Sequence, residues 1–248
     1  MLSSSSRGKN AANWSIPADP SVFPGHLPLA RARGSRPDFT FLDPLVALSR
    51  DGKIAIGGQI DADTLTTAYS RGIFPWEDSP AGPVWHAHAP RCVMRVHPGC
   101  GNRSLRRAAK LPFSFTTDQA FPKVMQGCAD RAEGSWITDE KLAGYTELHR
   151  RGLAHSVEAW LENELVGGLY GVTLGGLFAG ESMFSRVSQA SKASLAWLLD
   201  RLINWGYTLF DAQVANHHTL SLGFKEIGWA EFQTELKTAL VAPARWGD

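Results

Sequence analysis

Alternation of apolar and polar residues beyond position 154 is the feature that most constrains what this chain can fold into. Residues 155–161 read HSVEAWL and alternate at period two, as a half-buried strand does. Two apolar runs follow after short turns, so the pattern predicts an antiparallel meander over 155–161, 165–173 and 177–184. A helix over 190–205 comes next, because its leucines recur at the spacing i, i+3, i+4, i+7.

A strand over 207–214 and a short helix opening near Asn216 complete this order, which then reads LGFKEIG from Leu222. The order of elements resembles the C-terminal half of GNAT acyltransferases, in which a central sheet splays to admit an acyl donor. The fold class that the resemblance implies is α+β, with a central mixed sheet flanked by helices. Topology alone does not identify the reaction.

Three segments are predicted along the chain. Residues 1–37 are rich in Ser, Pro, Arg and Gly and are interpreted as a disordered tail, with an organellar transit peptide as the alternative. Residues 38–87, which contain a helix predicted over 63–71, are expected to form a small N-terminal α/β domain. Residues 88–240 are expected to form the GNAT-like catalytic domain.

Composition narrows the cellular setting and the partners. No stretch approaches the ~18 apolar residues of a transmembrane helix, and the start of the chain lacks the apolar core of a secretory signal. Three cysteines without zinc-binding spacing are expected to be free thiols in a reducing compartment. We therefore expect a cytoplasmic protein with no membrane contact. A formal net charge of +1 means that any nucleic-acid contact must come from a local basic patch.

The segment that opens the long helix argues against the usual acyl donor of this fold. An acetyl-coenzyme A enzyme cradles the pyrophosphate with backbone N–H groups at a glycine-rich turn at this point. Residues 185–194 read SRVSQASKAS and contain no glycine, so the close backbone approach that glycine permits is missing. We expect another acyl donor and no cofactor.

A basic stripe follows Asn102, which is the predicted N-cap of a helix. Its four cations recur at i, i+3, i+4 and i+7 and are expected on one helix face: Arg103, Arg106, Arg107 and Lys110. No acidic residue lies between Asn102 and Thr117 to neutralise them. A solvated helix face and a phosphate-binding surface are both open interpretations.

Three polar residues interrupt otherwise apolar strands. Asp211 and Gln213 stand at i and i+2 and are expected on one side of their strand, either as a structural hydrogen-bonded pair or as groups that position an amine. Glu181 alternates with apolar neighbours and either faces a pocket or pairs with Arg186. Carboxylate and amide groups of this kind serve proton transfer and orientation.

Histidines and aromatic residues recur around these positions. His86 and His88 form a pair able to bind metal from one strand face, but no third ligand stands at a diagnostic spacing, and no metal is expected. Most aromatic side chains are core residues by default. Four of them lie beside the motifs described above, where rings also stack on unpaired bases: Tyr69, Trp76, Trp136 and Tyr145.

Taken together, these segments resemble the leucyl/phenylalanyl-tRNA–protein transferase family. The matching stretches cover most of residues 40–232 in order, and they include AYSRGIFPWE, NRSLRRAAK, SWIT, AHSVEAW, LFAGESMFSR and NHHTLSLGFKEI. The pattern GESMFSR with ASK a few residues later is highly specific. The resemblance implies a monomer that transfers Leu, or Phe or Met, from aminoacyl-tRNA to a protein with N-terminal Arg or Lys. The product then feeds N-degron degradation.

The resemblance also implies roles for individual residues. The catalytic group corresponds to Asp211, Gln213 and Glu181. The rings around the aminoacyl-adenosine correspond to Trp76, Trp136, Tyr69 and Tyr145. The pocket for the amino-acid side chain corresponds to Leu169, Phe178, Leu195, Leu198 and Phe210. The cluster that grips the tRNA backbone corresponds to Arg103, Arg106, Arg107 and Lys110.

The expected chemistry starts from an activated ester, so amide formation is downhill and needs neither ATP nor metal. Asp211 is expected to accept a hydrogen bond from the attacking amine and offset the developing charge. Gln213 is expected to orient it, because an amide does not titrate in the usable range. The sequence reads His86-Ala87-His88 where the family reads Trp-Ser-Pro. A transferase with a different amino acid or a small-molecule amine acceptor, and a non-catalytic tRNA-binding module, are the alternatives.

Overall fold

The described part of the chain contains ten strands and seven helices. The computed structural model describes Phe41 and residues 52–130 and 135–247, so the tail predicted over 1–37 lies outside it. Within this part the strands are β1 Lys53–Ile56, β2 Phe74–Ser79, β3 Gly82–His86, β4 Arg91–Arg95, β5 Ser114–Thr117, β6 Ala154–Leu161, β7 Glu164–Leu174, β8 Leu177–Ser185, β9 Leu209–Asp211 and β10 Lys225–Ile227. The helices are α1 Ala62–Tyr69, α2 Arg103–Ala108, α3 Phe121–Ala129, α4 Asp139–Arg150, α5 Ala190–Asn204, α6 His217–Leu222 and α7 Trp229–Leu240.

Two sheets organise these strands. The first has three antiparallel strands in the order β1-β3-β2, and the second has seven in the order β10-β4-β9-β8-β7-β6-β5. Neighbours in the second sheet are antiparallel except β8 and β9, which run parallel and are connected by α5. The predicted α+β class with a central mixed sheet flanked by helices is confirmed. Among the described residues, no helix has both the length and the apolarity that crossing a membrane requires.

The parallel pair β8 and β9 opens into a gap. The two strands pair only from Leu177 to Ala179 on β8, although β8 continues to Ser185 alongside β7. Beyond Asp211 the chain stays with β4 instead, through a hydrogen bond of 2.9 Å from Ala212 N to Cys92 O. The strand predicted over 207–214 is therefore shorter than expected, because its last residues leave β8 and bend along β4.

Apolar side chains pack on both faces of the seven-stranded sheet. On β7, Tyr170 and Val172 belong to one cluster, and Leu169 belongs to the other, as alternation along a strand requires. The cluster of Tyr170 also contains Phe74 and Trp85 from the three-stranded sheet. Since the two sheets share this cluster, the domain division between residues 87 and 88 stays a prediction.

Polar caps begin the helices near the sites of interest. Asn102 Oδ1 accepts a hydrogen bond of 3.1 Å from Leu105 N at the start of α2, as predicted. However, α2 ends at Ala108, so Lys110 lies in the turn beyond it rather than on the same helix face. The helix predicted near Asn216 is α6, where Asn216 and Thr219 form a reciprocal capping box.

Gly144 on α4 provides a test of how tightly that helix packs. A Cβ at this position would overlap the carbonyl oxygen of Ile60, which is backbone and cannot rotate away. Alanine gains about 1 kcal/mol of helix propensity over glycine, but overpacking typically costs about 1 to 3 kcal/mol or more. We therefore expect Gly144→Ala to lower the free energy of unfolding by about 2 kcal/mol in urea titrations. Gly228→Ala, where a Cβ meets open space, is the control. A loss of unfolding free energy in Gly144→Ala that is no larger than the loss in Gly228→Ala would contradict the tight packing.

Candidate active site

A cavity of about 540 Å³ occupies the gap between β8 and β9. Its walls come from β7, β8, the first turns of α5, the segment that follows β9, and α6, with one further ring from the segment before α4. Six of the residues predicted for the site line it: Trp136, Leu169, Glu181, Leu195, Phe210 and Gln213. The gap in the sheet thus brings together residues that are far apart in sequence.

Part of the cavity is apolar. Beside the predicted Leu169, Leu195 and Phe210, its lining contains Met183, Leu222 and Phe224, which were missing from the predicted site. All three lie in stretches that carry the family resemblance, but their meeting across the gap depends on how α6 folds over the sheet.

Gln213 points its amide at Glu181 because the backbone turns sharply after β9. Its φ of 59° is in the left-handed region, which residues other than glycine adopt at a cost in free energy. The Gln213 N–H donates to Asp211 Oδ1 at 2.8 Å, and its side-chain Nε2 donates to Glu181 Oε1 at 2.7 Å. Asp211 and Gln213 therefore do not extend from one side of a regular strand, as the sequence predicted.

Asp211 lies behind this turn and outside the cavity lining. Its side chain is 2% exposed, and it pairs with Arg91, whose side chain is fully buried. Arg91 Nε donates to Asp211 Oδ1 at 2.8 Å, and Nη2 donates to Oδ2 at 2.6 Å. Both carboxylate oxygens are thus engaged within the protein. This arrangement does not support the predicted contact between Asp211 and the attacking amine, and it makes Asp211 the group that holds Gln213.

Arg91 is a residue that sequence reasoning missed. Its guanidinium carbon lies 5.0 Å from the ring centroid of Phe74 and 4.6 Å from that of Phe232, so it is held between two aromatic rings. An arginine within the buried strand Arg91–Arg95 is itself a signal, because a buried charge requires an ionic partner.

Glu181 lies on the cavity wall and is connected to two buried tyrosines. Its Oε2 accepts a hydrogen bond of 3.0 Å from Tyr145 Oη, which in turn lies 2.5 Å from Tyr69 Oη. Burial raises the pKa of Glu181 to about 7, against the opposing effect of these hydrogen bonds and the one from Gln213. Burial also raises the pKa of both tyrosines well above the usual value, and the nearby Glu181 charge adds to this.

The alternative pairing of Glu181 with Arg186 does not form. The Arg186 guanidinium lies over the Phe184 ring at 5.6 Å, and its Nη1 donates to Leu165 O at 3.3 Å. Glu181 is therefore the wall carboxyl whose partners are the Tyr145 hydroxyl and the Gln213 amide.

Several predicted site residues lie one layer behind the cavity. Tyr69 and Tyr145 are buried beneath Glu181 and reach the wall only through its hydrogen bonds. Phe178 lies where β8 and β9 still pair, opposite Phe210, before the gap opens. Leu198 is fully buried, because α5 presents Ser191 and Leu195 to the cavity and Leu198 falls on the next turn. The expectation that Phe178 and Leu198 line the pocket is corrected accordingly.

Of the two predicted tryptophans, Trp136 lines the cavity and Trp76 does not, although the backbone carbonyls of both bind the Lys141 ammonium. The Trp76 ring packs edge-on against His86 at 5.4 Å and His88 at 5.3 Å between centroids. These imidazoles are parallel, with centroids 5.7 Å apart. Burial lowers the pKa of His86 to about 4, so its ring is neutral near pH 7. The HAH segment thus supplies neutral packing surface for Trp76.

The basic helix α2 lies next to the cavity-lining elements. Arg103, Arg106 and Arg107 are exposed, and so is Lys110 in the following turn. Asn102 Nδ2 donates to Ser221 O at the end of α6, and Lys192 Nζ on α5 donates to Ser104 Oγ at 3.3 Å. Since α5 and α6 both line the cavity, these contacts place the cationic surface beside it.

One cluster elsewhere has metal-ligand residue types. Of the described residues, Asp118, His149 and His155 offer ligand atoms within 4.8 Å of one another, and none of them lines the cavity. His155 contacts Asp118 Oδ2 through Nδ1 at 2.7 Å and Gly152 O through Nε2 at 3.1 Å. Both of its ring nitrogens are thus engaged, and hydrogen bonding accounts for the cluster. The three cysteines are free thiols, as predicted.

Comparisons with known proteins identify the family to which the chain is similar. The chain matches the family model described as leucyl/phenylalanyl-tRNA protein transferase over residues 93–237, and the model of that transferase's N-terminal domain over residues 58–86. A leucyl/phenylalanyl-tRNA–protein transferase of Teredinibacter turnerae is 47% identical, covering 74% of this chain and 73% of the relative. One of Oleidesulfovibrio alaskensis is 43% identical, covering 84% and 87%. Among solved structures, a GCN5-related N-acetyltransferase-like protein from Streptococcus suis aligns at 14% identity and a TM-score of 0.31, covering 66% of this chain and 63% of that one.

The raised pKa of Glu181 predicts a pH-dependent stability. Between its ordinary pKa of 4.5 and about 7, the unfolded chain has lost the Glu181 proton while the folded protein keeps it, so wild-type stability falls across this window. Gln cannot titrate, so we expect the stability of Glu181→Gln relative to wild type to rise by about 2 to 3 kcal/mol from pH ~4 to pH ~8. Urea unfolding at both pH values measures the difference. Glu164→Gln, at an exposed carboxyl on β7, is the matched control. Parallel pH profiles for Glu181→Gln and wild type would show that Glu181 ionises normally.

Proposed function

Because this chain belongs to the leucyl/phenylalanyl-tRNA protein transferase family, we propose that it moves Leu, or Phe or Met, from aminoacyl-tRNA to the α-amine of a protein N-terminal Arg or Lys. As a member of this family it is an aminoacyltransferase. The observation that carries the proposal is the Gln213–Glu181 pair on the wall of a partly apolar cavity in the sheet gap. The product of such a transfer is a protein with a new apolar N-terminus, which fits a cytoplasmic N-degron pathway.

The lining of the cavity supports an apolar amino acid as the transferred group. Leu169, Met183 and Leu195 offer no hydrogen-bonding group, so burying a polar side chain against them would leave it unpaired. Discrimination among apolar side chains is weaker, since one methylene is worth only about 1 to 3 kcal/mol. The same cavity therefore suits Leu, Met and Phe to different degrees.

The wall of the cavity supports attack by a neutral amine. Gln213 Nε2 donates a hydrogen bond to Glu181, which leaves the Gln213 side-chain carbonyl to accept a hydrogen bond from the α-amine. This contact directs the lone pair of the amine nitrogen at the ester carbon. The C–N bond forms, the bond to the ribose oxygen breaks, the amine gives up one proton and the ribose oxygen gains one. Glu181, with a pKa of about 7, is the wall carboxyl suited to accept the amine proton. Asp211 acts through Gln213 as a positioning residue.

The start of α5 supports a donor other than coenzyme A. Ser185 Oγ accepts a hydrogen bond of 2.9 Å from Ser191 N, so this early N–H of the helix already has a partner. The N-cap residue is Gln189, at φ 70°, in place of a glycine that would admit a pyrophosphate. An ester-linked donor held by its adenosine and its tRNA needs no such cradle.

Transfer itself is the first test. We expect the protein to move radiolabelled Leu from Leu-tRNA to a peptide with N-terminal Arg, and not to the same peptide with an acetylated N-terminus. Gln213→Ala should lower the transfer rate on the order of 100-fold, because the amine loses its orienting acceptor. Gln126→Ala, at an exposed glutamine on α3, is the control.

A panel of charged tRNAs and acceptors makes this test decisive. Radiolabel that appears only on small amines would show that the acceptor is a small molecule and not a protein. No transfer to any acceptor, with intact Leu-tRNA bound, would leave a tRNA-binding module and defeat the proposal.

The basic helix predicts a salt-dependent contribution to tRNA binding. Arg103→Ala with Arg107→Ala should weaken Leu-tRNA binding and reduce the slope of log K against log salt by about 2, because two phosphate contacts are lost. Filter binding between low and moderate salt measures the slope. Transfer from a short leucyl-adenosine ester should stay unchanged, since it lacks the phosphates. Arg150→Ala, an exposed residue at the end of α4, is the control. A slope equal to wild type would assign the stripe to a solvated helix face.

A further inference from the structure

Lys141, in the first turn of α4, carries a fully buried ammonium group. Its Nζ donates to Asp78 Oδ2 at 2.8 Å, to Trp136 O at 2.9 Å and to Trp76 O at 3.3 Å. A lysine has three N–H donors, so these three acceptors satisfy it completely. The ammonium also lies 5.5 Å from the centroid of the Trp136 ring.

Two of these three contacts are to the backbone carbonyls of Trp76 and Trp136. Trp76 belongs to β2 of the small sheet, and Trp136 belongs to the segment before α4, 60 residues later in the sequence. One ammonium group binds the backbone carbonyls of both, so it fixes the separation between the two segments. Trp136 also lines the cavity, which connects this separation to the site.

Burial of this charge is costly, and stability alone does not account for it. Buried ion pairs frequently contribute little net stability, because desolvation offsets the attraction. Here the partner carboxylate of Asp78 is 39% exposed, which weakens the attraction further. Elsewhere the helix packs through Tyr145 and Leu148, one and two turns beyond Lys141 and both fully buried in the core. The contacts of Lys141 therefore fix the spacing between two backbone segments, each of which carries a tryptophan.

We propose that Lys141, with Asp78, is a positioning residue that holds the Trp76 and Trp136 segments at the separation required to bind the terminal nucleoside of the charged tRNA. This inference rests on the proposed function. It predicts that loss of the ammonium weakens binding of the donor and leaves the chemical step, at Gln213 and Glu181, nearly intact.

Lys141→Met tests the proposal, because methionine keeps the length and apolar stem of lysine but removes the three donors. We expect the KM for Leu-tRNA to rise about tenfold, with kcat within about twofold of wild type. The affinity for leucyl-adenosine with a 3′-amide in place of the ester should fall by the same factor, measured by tryptophan fluorescence. Lys237→Met, an exposed lysine on α7, is the control and should match wild type in both assays.

Asp78→Asn gives a second, milder variant at a position near the surface. It leaves both carbonyl contacts of Lys141 in place and removes only the ionic partner, so the KM should rise about threefold with the same kcat. If Lys141→Met does not fold, as judged by circular dichroism, Asp78→Asn decides the question. Lys141→Arg keeps the charge but not the compact three-donor geometry and should fall between Lys141→Met and wild type.

The outcomes separate the two proposals. A folded Lys141→Met or Asp78→Asn with wild-type KM and probe affinity would overturn the positioning role and leave the transferase proposal standing. A fall in kcat at unchanged KM would also overturn it, since that assigns Lys141 to the chemical step or to general stability. A wild-type protein that neither transfers Leu nor binds the amide probe would overturn both.

Discussion

The buried ion pair between Arg91 and Asp211 connects β4 to β9 and holds the segment after β9 that lines the cavity. Arg91 starts β4 and Asp211 ends β9, and the guanidinium lies between Phe74 of the small sheet and Phe232 of α7. Such a pair adds little net stability, but removing one partner leaves the other charge unpaired in the core. Its value is geometric. The same carboxylate that pairs with Arg91 through Nε and Nη2 also accepts a hydrogen bond from the Gln213 N–H and stabilises the left-handed turn that directs the amide at Glu181.

The site separates two kinds of electrostatics. On the cavity wall, burial raises the pKa of Glu181 to about 7. A small change in the surroundings of the carboxyl therefore changes its protonation state near neutral pH. Outside the cavity, the exposed arginines of α2 form the cationic surface for which we propose the longer-range attraction of the tRNA phosphates. An aminoacyl-tRNA donor suits both, because an ester with an apolar side chain is its reactive end while its carrier is a chain of phosphates. The ester already stores the free energy of the amide bond, and positioning of two bound substrates supplies much of the remaining work.

Most of the architecture was predictable from residue patterns. The meander, the long helix and the capped helices at Asn102 and Asn216 occur within a few residues of where periodicity and capping place them. Among these predicted elements the errors fall at the ends, whereas β4, α3 and α7 were not predicted as elements. The strand predicted to run to residue 214 ends at Asp211, and the helix predicted to carry Lys110 ends at Ala108. The strand ends because Ala212 hydrogen-bonds to Cys92 of β4, whereas α2 ends in local turns from Lys110 N to Arg107 O and from Leu111 N to Ala108 O.

The candidate site was predictable in membership more than in roles. Resemblance pointed to Glu181, Gln213 and Trp136, which line the cavity, and also to Phe178 and Leu198, which lie behind it. It did not point to Arg91 or Lys141 as functional residues, because a charged side chain is assigned to the surface unless its buried partners are known. What the sequence alone determined were the local elements, their caps and the family. Only the tertiary structure decided which polar groups reach the cavity and which instead position other residues. Arg91 and Asp211 are 120 positions apart in sequence, so their contact exists only when the sheet has formed.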